Sequence, residues 1–140
     1  MFSKIPLILL LMWATTLYSQ NQKKNNRIDS LQTTEEIQKF IDEKELDYTI
    51  TINEKIQYDS YCSAIADSLN IKPWGKGDFD NNGLTDLLIT GNSKEGVKTI
   101  CILDQGDHFE KVNISLGNLY EACAFATARD NKVVYHKIKF

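Results

Sequence analysis

The chain has 140 residues, a formal charge of −3, 42 % hydrophobic and 25 % charged residues, which allows one domain with a core of its own. The slight acidic excess offers no electrostatic footprint for nucleic acid or an anionic membrane. Two histidines, His108 and His136, stand far apart and outside any H-x-x-x-H pattern, which argues against a catalytic zinc site, and no G-x-S-x-G elbow occurs.

In chain order, residues 1–19 come first. Lys4 precedes an apolar run from Ile5 to Trp13 and a short polar end, the anatomy of a secretory signal peptide cleaved near Ser19–Gln20. The run is shorter than the roughly 20 apolar residues of a membrane span, so no stable span is expected after cleavage. An uncleaved N-terminal anchor is the alternative. The first cysteine is Cys62, so a lipoprotein cysteine does not follow the run. Loss of Lys4 leaves 15 basic against 19 acidic residues. Residues 20–32, including the locally basic "NQKKNNR", read as a solvated flexible linker, and residues 33–140 as a single domain.

Thr33 with Glu36 three positions later forms a capping box, and Ile37, Phe40 and Ile41 follow at helical spacing. "LDYTITIN" alternates, with Tyr48, Ile50 and Ile52 on one face of a predicted strand. A second helix is capped by Asp59, carries Tyr61, Ile65 and Leu69 every four residues, and stops near Asn70 ahead of Pro73. Beyond Gly83 five strand-like runs ("LTDLLIT", "VKTICIL", "FEKVNISL", "EACAFATA", "KVVYHKIKF") alternate with turns, an antiparallel meander. The expected fold is α+β: two N-terminal helices packed on an antiparallel sheet of about five strands. The last run reaches Phe140, so a longer native chain, of which this is a fragment, is one reading.

Between the second helix and the meander lies "KGDFDNNGLTDLLITG", Lys76 to Gly91. A calcium ion takes six to eight hard oxygens from a short, sharply turning backbone. With Asp78 as position one, Asp80 is three, Asn82 five, Gly83 six and Asp86 nine, and Leu84 at seven offers its carbonyl. The loop is no EF-hand, because Ile89 stands where the bidentate glutamate belongs and a strand follows. It resembles the calcium motif of FG-GAP and VCBS-type repeats, in which a Gly-Asp-Phe-Asp-x-Asp-Gly-x-x-Asp loop enters an apolar strand. The likeness covers about 15 residues and includes Gly77 and Phe79. It implies a structural calcium ion held by Asp78, Asp80, Asn82, Asp86 and the Leu84 carbonyl. Asn82 departs from the commoner aspartate and lowers the ligand charge. A single copy excludes a propeller. The competing reading is a polar turn whose Asp and Asn side chains cap the backbone.

Three cysteines allow three pairings, each leaving one thiol, and three buried thiols are equally compatible. Small apolar neighbours place Cys101 and Cys123 in the core. Cys62, in the first turn of the second helix, with His136 on a strand is the one arrangement that resembles a thiol hydrolase. His108 reads as a solvated turn residue. Pro73–Trp74 reads as packing for the loop, with a ligand-stacking platform as the alternative. These features point to a periplasmic or extracellular, non-enzymatic calcium module that binds another protein, as in adhesion or inhibition. The small hydrolase of Cys62 and His136 is the alternative function.

Overall fold

The computed structural model describes residues 27–116 and 122–139. The expected signal peptide, the expected linker up to residue 26, residues 117–121 with the expected turn at 117–120, and Phe140 lie outside them. The described elements are helices α1 (Arg27–Ser30), α2 (Thr34–Glu43) and α3 (Ser60–Ser68), and strands β1 (Trp74–Gly77), β2 (Asp86–Ser93), β3 (Gly96–Asp104), β4 (Phe109–Ile114), β5 (Ala122–Arg129) and β6 (Lys132–Lys139). The fold is α+β.

The strands form two antiparallel sheets rather than one, in the orders β1-β2-β3-β4 and β5-β6. β1 was not among the predicted strands, because "WGKG" carries no alternation. β2 and β3 pair Leu87 with Ile102, Leu88 with Cys101 and Ile89 with Ile100. That register gives both faces of the four-stranded sheet apolar side chains, and each face has a separate cover. On one face Leu87, Ile89, Ile100 and Ile102 pack with Ile37, Phe40 and Ile41 of α2. On the other, Leu88 and Cys101 meet Ala126, Ala128 and Val133 of the β5–β6 hairpin.

α2 starts as expected: Thr33 and Glu36 complete the capping box, and Ile37, Phe40 and Ile41 are buried. The body extends further towards the N-terminus than predicted. Ile28 is fully buried and Leu31 nearly so, because both join the core beneath α2. Lys76 of β1 holds this entry segment by donating to the carbonyls of Asp29 and Leu31.

Two expectations are corrected further along. The Leu46–Asn53 run is no strand of a sheet. It touches β2 through one bridge, Thr51 to Asn92, and Tyr48 is exposed while Ile50 and Ile52 are buried. Its other side is occupied by the Gln38 side chain, whose Oε1 accepts from Ile52 N–H at 2.8 Å. The second correction concerns α3. Asp59 caps it by accepting from Tyr61 and Cys62 N–H, as expected. Its buried face is Cys62 and Ala66, whereas Tyr61 and Leu69 are exposed. That face packs on the β5–β6 hairpin against Cys123 and Phe125 instead of on the larger sheet, and a Cys62–Cys123 disulfide fastens it there.

Candidate metal centre

The acidic loop runs from the end of β1 to the start of β2, across the joint of an antiparallel pair. Gly83 adopts φ +84° and Asn81 φ +60°, the left-handed turn that the glycine at position six was expected to permit. Gly77 has a packing reason of its own. A Cβ there would lie 2.6 Å from the Phe79 ring and 3.2 Å from the Asn131 backbone. Phe79 itself packs on the hairpin-side core. Gly77 and Phe79 thus seat the loop on the hairpin side.

The structure brings Asp78, Asp80 and Asp86 together: one carboxylate oxygen of each lies within 4.8 Å of those of the other two. Asp86 is fully buried. Its oxygens accept from Phe79 N–H at 2.6 Å and Asp104 N–H at 2.8 Å. Burial raises its pKa above the usual carboxylate range; the two backbone donors oppose this, and the charges of Asp80 and Asp78 add to it. Asp78 accepts from Asn82 and Gly83 N–H. Three carboxylates at this separation repel one another, so the cluster is suited to a cation. All the donors are hard oxygens, which fit calcium, magnesium or manganese and not a soft metal.

Asn82 and Leu84 stand differently from the three aspartates. The Asn82 Oδ1 accepts from Leu84 N–H at 2.8 Å, and its Nδ2 donates to the Asp104 carbonyl at 2.7 Å and to Asp80 at 3.1 Å. Asn82 therefore braces the turn. Leu84 enters this network through its N–H.

Three residues at the site carried no signal of their own in the sequence. Asp104, at the end of β3, and Gln105, which opens the β3–β4 turn, hold Asp86 and Asp80, the latter through Gln105 Nε2 at 2.7 Å. Asn131, in the β5–β6 turn, accepts from Asp78 N–H at 3.1 Å. Both turns were legible as turns, but no spacing tells that they converge on a loop so distant in the chain.

The Cys62–His136 arrangement is not assembled. The Cys62 sulfur is bonded to Cys123, and His136 Nε2 lies 3.0 Å from Thr127 Oγ1. His108 is exposed beside Asp107, as expected of a turn residue. Comparison with protein-family models, curated proteins and solved structures finds no match to this chain.

Proposed function

We propose that this is an exported, non-enzymatic module whose 78–86 loop holds a structural calcium ion and which acts by binding another protein. One observation carries the reading: three aspartate oxygens converge within 4.8 Å at a glycine turn, with one of the three carboxylates fully buried. The FG-GAP-like order of the loop supports calcium among the hard cations. A bound ion would offset the mutual repulsion of Asp78, Asp80 and Asp86 and fix the joint between β1 and β2. Asn82 and the Leu84 carbonyl complete the proposed ligand set after local rotation of the Asn82 amide. The Cys62–Cys123 disulfide supports export, because such bonds persist in oxidising compartments.

Thermal unfolding in millimolar calcium and in chelator tests the metal. A ligand that binds only the folded form stabilises it by about 2.7 kcal/mol at one hundred times its Kd. The melting temperature is expected to rise with calcium, and less with magnesium. Asp80→Ala should remove the rise without unfolding the protein, since Asp80 is exposed. Superimposable melts in calcium and in chelator would end the metal reading. Recovery of the native protein with Met1 retained would end the export reading.

A further inference from the structure

A second site lies apart from the acidic loop. We propose that the cleft between β1, the β5–β6 hairpin and the C-terminal end of α3 binds a small carboxylate with an apolar body. Among the described residues β1 is laddered only to β2, and β5 only to β6, so the two strands are neighbours without a shared ladder. They touch at Gly75 and Ala128, where a Cβ on the glycine would lie 2.7 Å from the Ala128 Cβ. Beside that contact opens a cleft of about 310 Å³. Pockets that take small molecules begin at about 300 Å³.

Its chemistry is one-sided. Among the described residues Lys72, Arg129 and His136 line it, and no aspartate or glutamate does. This stands out in a chain with 19 acidic against 16 basic residues. The remaining lining is largely apolar, with Leu69, Ile71 and Leu88 among it. A monoanion on a hydrocarbon body matches both halves, whereas a multiply charged, strongly hydrated anion would leave the apolar wall unused. The cleft is also held in shape. The Pro73 carbonyl accepts from Thr90 N–H at 2.7 Å, which fixes one wall to β2. The 3.0 Å contact with Thr127 orients the half-buried His136 ring. Arg129 is 3.6 Å from Asp130, with both side chains more than three-quarters exposed. Such a pair is weak, and a ligand carboxylate can replace it. Pro73 and His136, singled out separately in the sequence, both line this cleft, whereas the Trp74 indole faces α2, with its Nε1 3.4 Å from Thr34 Oγ1.

Because the chain holds only two histidines, its imidazole proton resonances are two resolvable sets, with His108 as the internal control. The full chain is titrated with sodium hexanoate, with 1-hexanol and with hexylammonium chloride. Hexanoate is expected to move the His136 resonances at millimolar concentration and to leave those of His108 in place. Hexanol should bind about tenfold more weakly, a difference of about 1.4 kcal/mol, and hexylammonium should have no effect. The Lys72→Gln/Arg129→Gln variant replaces two exposed side chains and should keep the native spectrum while hexanoate affinity falls about tenfold. The proposal is overturned if hexanoate leaves His136 unmoved up to its solubility limit. It is equally overturned if hexanol matches hexanoate, if both histidines shift alike, or if the double variant binds as the wild type does. Repeating the titration in chelator keeps this outcome separate from that of the metal site.

Discussion

The Asp47 carboxylate sits in the connection after α2, yet its side chain is only 2 % exposed. Lys98 of β3 approaches it at 2.6 Å and Lys111 of β4 at 3.2 Å, while Thr49 donates through both its hydroxyl and its N–H. Burial alone would raise the Asp47 pKa; the donors from Lys98, Thr49 and Lys111 outweigh it and hold the group well below the ordinary carboxylate range. A depressed folded-state pKa means stability that is full above the unfolded value of 3.8 and drains away as pH falls below it. Asp47→Asn should therefore cost about 2 kcal/mol at pH 7, and the gap from wild type should narrow on acidification below pH 4. A constant gap from pH 7 to pH 3 in denaturant titrations would show that the charge is not what matters. Cys101 is the opposite case. Burial, joined by the charges of Asp86 and Asp80, pushes its thiol up to about 12, so it has neither access nor thiolate character. Native protein should resist iodoacetamide at pH 8. Unfolded protein should take one label without reductant and three with it, and three labels without reductant would refute the disulfide.

Each element became legible to the extent that it supplies its own partners. α2 carries its cap, its box and its buried stripe within its own residues, so pattern alone located it. β2 and β3 were readable as continuous apolar runs because both faces are covered, although which cover lies on which face was not. The run 46–53 has the alternation of a strand, but its backbone is held by the Gln38 and Asp47 side chains and one bridge, a tertiary choice that alternation does not encode. In α3 the stripe Tyr61–Ile65–Leu69 and the stripe Cys62–Ala66 lie about 100° of rotation apart. Hydrophobicity favours the first, and the disulfide with small Ala66 selects the second, leaving Ile65 on the border. That bond spans 61 residues, and its loop-closure effect on the unfolded chain is about 4 kcal/mol. Cys62→Ala/Cys123→Ala should lower stability by about 2–4 kcal/mol in urea titrations. Hydrogen exchange should rise first in α3 and the hairpin, with α2 and β3 still protected; uniform loss across the chain would mean that the two layers fold as one unit.

At the scale of the molecule, two sheets that share no ladder among the described residues are held together by close approach. The acidic loop was readable because its spacing is local, whereas the joint depends on two residues from distant runs, Gly75 and Ala128. Placed in an extended strand with no neighbour, Gly75→Ala would stabilise by about 0.4–1 kcal/mol, since it restricts the unfolded chain. Here the added carbon lies 2.7 Å from the Ala128 Cβ, an atom fixed to the backbone that cannot turn aside. The strands must separate, at a cost of about 1–3 kcal/mol, so the predicted sign is destabilising. Ala128→Gly alone loses a methyl contact and gains backbone freedom, costing about 1 kcal/mol. Together the two changes restore one methyl at the joint, now carried by β1 in place of β5. The double variant should therefore be more stable than the sum of the single losses predicts, with a coupling of about 1–2 kcal/mol. Strict additivity in urea titrations would mean that the sheets are spaced by something other than this pair. A stabilised Gly75→Ala variant would mean that β1 and β5 do not touch in solution.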